Sequence, residues 1–139
     1  MIVIDTNVIS EMMRDNSDPT VLEWTATAGQ LHTTTITLAE VEYGIARLPA
    51  GRRRDQLTSL ATELFADLQD LILPFDVRAA HRYAEIVAGR DATGRPIATA
   101  DAQIAAVCAA REATLATRNI SDFESTGIGL VDPWQALLR

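Results

Sequence analysis

Apolar residues follow two rhythms along this chain. Short unbroken runs of aliphatic or β-branched residues alternate with longer stretches in which apolar positions recur every three or four residues. The first rhythm suits strands buried on both faces of a parallel sheet, and the second suits amphipathic helices. Met1-Ile2-Val3-Ile4 is such a run, and it ends on an acid, Asp5. A short helix is expected over 7–14, with Val8, Ile9, Met12 and Met13 apolar. Asp15–Pro19 is rich in turn formers, and Pro19 opens a second helix to about Thr27, with Trp24 read as core. Leu31–Ile36 is β-branched and follows Gly29, which predicts a second strand. Thr37 and Glu40 have capping-box spacing, so a helix is expected from Thr37 to Leu48, stopping at Pro49-Ala50-Gly51.

Residues 52–69 read as a long amphipathic helix carrying Leu57, Leu60, Ala61, Leu64, Phe65 and Leu68. Leu71–Phe75 reads as a third strand, with Pro74 at its end or on an exposed edge. Asp76 caps a helix over 77–90 whose expected inward face is Val77, Ala80, Tyr83, Ala84 and Val87. After the turn-rich Asp91–Pro96 comes an alanine-rich helix from about Ala98 to Ala110, packing through Ile104, Ala105, Val107 and Cys108. Ala113–Thr117 is a fourth strand, Arg118–Phe123 a polar turn, Leu130-Val131 a last strand fragment, and 133–138 a short terminal helical piece. This alternation predicts an α/β fold with a mainly parallel central sheet of four to five short strands flanked by helices. A length of 139 residues makes residues 1–139 one domain.

Composition narrows the classes. One cysteine, Cys108, excludes an internal disulfide and a cysteine-based zinc site. No apolar stretch approaches a membrane span and no secretory pattern opens the chain, so a cytoplasmic setting is expected. The net charge of -7 argues against a broad basic face for nucleic acid. It leaves room for nucleic-acid chemistry at carboxylates, because divalent metal held by such a cluster screens phosphate.

Position decides which of the 19 acids matter. Glu11, Glu23, Asp55, Glu63, Asp67, Asp70 and Glu85 are read as solvated. Asp5 follows the first strand, Glu40 the second, Asn119 and Asp122 the fourth, and Asp101 opens the alanine-rich helix. In a parallel sheet, strand ends that lead into helices share one edge, where ligands bind. Carboxylates converging there repel, and a magnesium-like ion with oxygen ligands is the usual remedy. Glu40 and Glu42 point roughly 200° apart on a helix, so only one faces the cluster, and Glu40 is the nearer. No phosphate-cradling glycine loop, Gly-x-Ser-x-Gly elbow or His-Glu-x-x-His occurs.

Four segments, in order, resemble the motifs of PIN-domain ribonucleases: Ile4–Ser10, Thr37–Ile45, Ile97–Ala106 and Ala116–Phe123. Within that family the Asp5–Glu11 opening and the closing Asp132-Pro133-Trp134 look most like the FitB-like branch of the VapC toxins of type II toxin–antitoxin pairs. The resemblance implies an endoribonuclease dependent on Mg²⁺ or Mn²⁺, a homodimer, and inhibition by a cognate VapB/FitA-like antitoxin that also supplies the contact to operator DNA. It implies that Asp5 and Asp101 bind metal, that Glu40 does so directly or through water, and that Asp122 or Asn119 completes the site. One departure stands out: the family often carries an acid where this chain has Asn119.

Each assignment has a plainer rival. Asp5 and Asp101 could serve as helix caps, and Glu40 as half of a capping box. Thr6, Asn7, Thr99 and Thr117 suit either capping or the orientation of acids and bound water. Arg118 adjoins the expected site and is the better phosphate contact. Arg52-Arg53-Arg54 could touch RNA backbone or simply begin a solvated helix. His32 and His81 are read as structural or solvated. Two other functions remain open: a catalytically weak PIN-fold protein acting through its antitoxin or operator complex, and a phosphatase or phosphotransferase. The latter usually wants a second acid two residues after Asp5, where Asn7 stands.

Overall fold

The computed structural model describes residues 1–136. Five strands form one parallel sheet in the order β3-β2-β1-β4-β5. They are β1 Ile2–Ile4, β2 Leu31–Thr34, β3 Ile72–Leu73, β4 Thr114–Ala116 and β5 Gly129–Val131. Six helices connect or flank them: α1 Thr6–Met12, α2 Pro19–Thr27, α3 Thr35–Ala46, α4 Arg52–Asp67, α5 Val77–Ala92 and α6 Thr99–Ala110. Among the described residues no helix is long and apolar enough to cross a membrane.

The two-sided burial expected of the apolar runs is present. Val3, Leu115 and Leu73 pack with α5 and α6 on one face. Ile4 and Ala116 pack with α1 to α4 on the other, where Trp24 is buried as expected. The alanines of α6 let it lie close: Ala102, Ala105 and Ala106 are fully buried beside Ile104 and Cys108. Burial pushes the Cys108 thiol up to about 12, with the Asp5 charge adding to it, so it packs as an inert small hydrophobe.

β1 is the hinge of the topology. From β1 the chain steps outward to β2 and then β3, and only later returns to lay β4 on the other side of β1. The carboxyl ends of β1 and β4 therefore flank the point where strand order reverses, the crevice in which open α/β sheets bind ligands. Asp5 continues from β1, and its N–H donates to the Ala116 carbonyl at 3.0 Å.

Several boundaries depart from expectation. β2 ends at Thr34 and α3 begins at Thr35, two residues before the anticipated start. Thr34 is the cap, its hydroxyl accepting from the Thr37 N–H at 3.1 Å, so Thr37 and Glu40 do not form a capping box. The β-branched run over 33–36 masked the change from strand to helix. On α5 the buried positions are Ala79, Ile86 and Arg90 with Tyr83 half-buried, while Val77 is 73% exposed and Ala80 and Ala84 are exposed. Pro74 directly follows β3, which is an edge strand, as its missing N–H requires. Residues 133–135 form a turn; the rest of the expected terminal helical piece, Leu137 and Leu138, lies outside the described residues.

Arg90 is an unexpected charge in the interior. It is 5% exposed, and its Nε donates to the Arg95 carbonyl at 2.6 Å. Its Nη1 donates to the carbonyls of Asp122 and Glu124 at 2.9 and 3.0 Å. One side chain thus fixes the loop after β4 to the end of α5. Arg90→Ala leaves buried carbonyls without donors, and the expected loss is about 3 kcal/mol or more. Thermal melting should show it as a drop of roughly 10 °C. A lysine, with no planar fork, should not restore the lost stability.

Candidate functional site

Asp5 is both cap and candidate ligand. It is the N-cap of α1, with Oδ1 accepting from the Thr6 N–H at 2.8 Å. Its Oδ2 accepts from the Thr117 hydroxyl at 2.8 Å and from Asn7 Nδ2 at 3.4 Å. Thr117 is fully buried, and its oxygen in turn accepts from Asn7 Nδ2 at 3.2 Å and the Asn119 N–H at 3.1 Å. The proton of that hydroxyl is therefore committed to Asp5, and both of its lone pairs are used. Asn7 Oδ1 accepts from the Arg118 N–H at 3.2 Å. Asp5 is thus oriented by residues from both strands that flank the crevice.

Glu40 enters from α3. The Thr6 hydroxyl donates to Glu40 Oε1 at 2.7 Å and lies 3.2 Å from the buried Thr37 Oγ1. Glu42 lies elsewhere, on the apolar groove between α3 and α4 with Arg54. Asp101 sits in the first turn of α6 and is half-buried; the adjacent helix start favours its negative charge. Asp5, Glu40 and Asp101 line one cavity of roughly 390 Å³, together with Thr6, Asn7, Arg118, Asn119 and Trp134. A larger hollow of roughly 710 Å³ lies at the opposite edge of the sheet, around Thr114 and Gly129, away from these acids.

The acids feel one another. Burial, then the charges of Asp5, Asp122 and Glu40, push Asp101 up to about 6, against a smaller opposing pull from Arg90. Burial also raises Asp5, which its hydrogen bonds from Thr117 and Thr6 only partly offset, while Glu40 and Asp122 push it further up. The fourth corner is divided between two residues. Asn119 is on the cavity wall, whereas Asp122 is exposed beside it and acts on Asp5 and Asp101 through its charge. Thr99, the first residue of α6, is exposed; among the described residues its hydroxyl makes no hydrogen bond, and it is not one of the residues that line the cavity.

Two members of the neighbourhood were not anticipated. Glu11 is 4% exposed rather than solvated and also lines the cavity. It accepts two bonds from Arg14 Nη1, at 3.0 and 3.2 Å, and one from the Asp18 N–H at 3.0 Å, which ties the 13–18 loop to α1. Its place three residues after Val8, on the buried face of α1, was the available signal. The second is Trp134, over whose ring the Arg118 guanidinium lies 5.1 Å from the centroid. Neither histidine belongs here: His81 is exposed, and half-buried His32 lies in β2 opposite Val3, its Nδ1 buried without a hydrogen-bond partner among the described residues and its pKa lowered by burial. Of the arginine run, Arg53 reaches Asp15 at 3.8 Å and Arg52 and Arg54 flank grooves beside α4.

The donor set suits a hard divalent cation. Asp5, Glu40 and Asp101 all offer carboxylate oxygens, and the charges of Asp5, Asp122 and Glu40 add to burial in raising Asp101, a load that a cation would offset. Among the described residues no three such side chains already close on a single point.

An all-parallel sheet with an acidic cavity at its topological switch point defines an α/β protein whose candidate site lies at the carboxyl edge of the sheet. The PIN domain family model matches residues 2–128, and the chain belongs to that family. It is 40% identical over 139 residues to plasmid stability protein StbB of Pseudomonas syringae pv. tomato, covering 98% of this chain and 100% of that protein. It is 39% identical to VapC ribonuclease Y4jK of Sinorhizobium fredii (97% and 99% covered) and 34% identical to toxin FitB of Neisseria gonorrhoeae (96% and 99% covered). The solved structure of FitAB bound to an IR36 DNA fragment matches with a TM-score of 0.88 at 33% identity, covering 96% of each chain.

Proposed function

We propose that this chain is the toxin of a type II toxin–antitoxin pair, an endoribonuclease that hydrolyses RNA phosphodiester bonds with Mg²⁺, or Mn²⁺ in its place. The observation that carries the reading is that Asp5, Glu40 and Asp101, from three separate segments, line one cavity at the switch point of a PIN fold. Relatives called VapC ribonuclease and toxin FitB, similar over nearly the whole chain, support it.

Asp5 and Asp101 would hold the ion, with Glu40 joining directly or through water. When bound, such an ion supplies Lewis acidity that activates water and offsets charge on the phosphodiester. The chain's own residues do the positioning. Thr117 and Asn7 fix the Asp5 carboxylate, and Thr6 fixes Glu40. Asn119 adds a neutral amide to the wall, Asp122 adds negative charge nearby, and Arg118 is the phosphate contact. A net charge of -7 leaves little general attraction for RNA, so binding rests on the ion and a few local cations.

As partners we propose a cognate VapB/FitA-like antitoxin that inhibits the site, contact with operator DNA only through that antitoxin, and a second copy of this chain in a homodimer. The similarity to the FitAB–DNA structure supports the first two. The setting we propose is the cytoplasm, where RNA and such an antitoxin would both be met. The test is metal-dependent RNA cleavage by the antitoxin-free protein. A chain that binds its antitoxin and operator complex yet never cuts RNA would instead be the catalytically weak PIN-fold partner, the reading that Asn119 favours.

A further inference from the structure

We infer that Trp134 is a positioning residue for RNA binding: it holds the Arg118 guanidinium at the mouth of the acidic cavity as the contact for a backbone phosphate beside the scissile one. This rests on the ribonuclease reading and extends it to a residue outside the four acidic segments.

Three observations carry it. First, Arg118 is anchored at one end and free at the other. Its N–H donates to Asn7, which itself bonds Asp5, so its backbone is one side chain away from the acid. Among the described residues its guanidinium makes no hydrogen bond or ion pair, and the side chain is exposed. Second, the other arginine on the cavity wall is spent: Arg14 is paired with Glu11 at 3.0 Å. Third, Trp134 is fixed. Its backbone N–H donates to Asp132 Oδ1 at 2.9 Å, and the half-buried residue packs on the core that holds Ile4 and Ala116.

A guanidinium held over an indole face by its charge does not spend its N–H donors on that contact. Those donors match the oxygens of a phosphate in a two-pronged contact. Without the indole, a long exposed arginine would sample many rotamers near four carboxylates and would be drawn to them. The indole thus keeps the cation from neutralising the acids and directs it at the incoming strand. A backbone phosphate is the ligand we assign to these donors, because its oxygens are present at every nucleotide and carry the opposite charge.

The test uses the full chain and a short, end-labelled, single-stranded oligoribonucleotide of mixed sequence. Fluorescence anisotropy reads binding, and a cleavage assay with Mg²⁺ reads KM and kcat separately. Arg118→Gln and Trp134→Ala should each weaken binding and raise KM about ten-fold while kcat stays within about two-fold, the range of a charged contact. The double variant should be no worse than either single one, because the two act as one unit. Trp134→Phe, which keeps a ring face, should recover most of the loss. Arg118→Gln should make the salt dependence of binding shallower by about 0.7 in log–log slope. An abasic ribose-phosphate strand of the same length should show the same dependence on Arg118.

Independent, additive losses would overturn the inference, as would a Trp134→Ala effect on kcat alone. So would dependence on Arg118 that vanishes with the abasic strand, since the contact would then be to a base. Unchanged RNA binding with lost antitoxin binding would assign the pair to the protein partner and overturn it too. Wild-type protein that binds the strand but never cuts it would defeat the ribonuclease reading alone, because anisotropy still decides between Arg118 acting with Trp134 and Arg118 acting without it. If Trp134→Ala fails to fold, Trp134→Phe and Arg118→Gln carry the comparison.

Discussion

Asp5→Asn is expected to lower RNA cleavage more than about a hundred-fold while the protein stays folded. Substitutions that only orient a metal ligand commonly cost 10- to 100-fold, so removal of a ligand itself should exceed that range. The fold should survive because asparagine can still cap α1 and accept from the Thr6 N–H. Stability at neutral pH without metal should change little: the buried charge is removed, but the new amide N–H₂ meets the Thr117 hydroxyl and Asn7 Nδ2, both of which donate to Oδ2. Asp5 is 5% exposed and its carboxyl is pushed up by burial, so its charge is a load on the metal-free protein. Asp5→Ala should lose the same activity and also some stability, because the cap is lost with the charge. Cleavage rates beside melting temperatures for the two variants check both halves.

The second large effect is a coupling of pH, metal and stability. Asp101 is pushed up to about 6 from an ordinary value of 3.8, and Asp5 moves in the same direction. A raised native pKa means the folded protein holds the proton more tightly than the unfolded chain. Folding stability therefore falls as pH rises through the window from about 4 to about 6, and the penalty is complete above it. Metal binds the ionised form, so its affinity rises through the same window. At neutral pH, saturating Mg²⁺ should raise the melting temperature by roughly 5–10 °C at about a hundred times its Kd. Below about pH 5 the same Mg²⁺ should have little effect, because protons then occupy the site. Asp101→Asn should flatten the dependence on both pH and metal. Differential scanning fluorimetry of chelator-treated protein across this range measures it; identical melting with and without Mg²⁺ at every pH would contradict it.

Much of the site was legible because β1 reads so plainly. An apolar run ending on an acid placed Asp5 at the sheet's carboxyl edge, and capping chemistry and Pro19 placed α2 and α5 closely. The parallel topology then brought Glu40 and Asp101 to the same cavity. What escaped is where local pattern and tertiary packing disagree. Thr33 to Ile36 look uniformly like strand, yet the Thr34 cap turns the chain into a helix. Val77, Ala80 and Ala84 have helical spacing, but so do Ala79, Tyr83, Ile86 and Arg90, and only packing against α6 selects the second stripe. Glu11 and Arg90 were missed for one shared reason. Charged residues read as solvated unless a buried partner is known, and their partners, Asp18 and the carbonyls of 95, 122 and 124, are far from obvious in the sequence. Asn119 and Asp122 were inseparable by spacing alone; the fold puts one on the wall and leaves the other acting at a distance.

The most direct test of the proposed function is to incubate the purified, antitoxin-free protein with cellular RNA, with Mg²⁺ or with a chelator, and to sequence the new ends. Hydrolysis assisted by the acidic cavity predicts cleavage only with the divalent ion, 5′-phosphate and 3′-hydroxyl products, and loss of these products in Asp5→Asn. Cleavage that persists in chelator, or that Asp5→Asn performs as well as the unaltered chain, would contradict it.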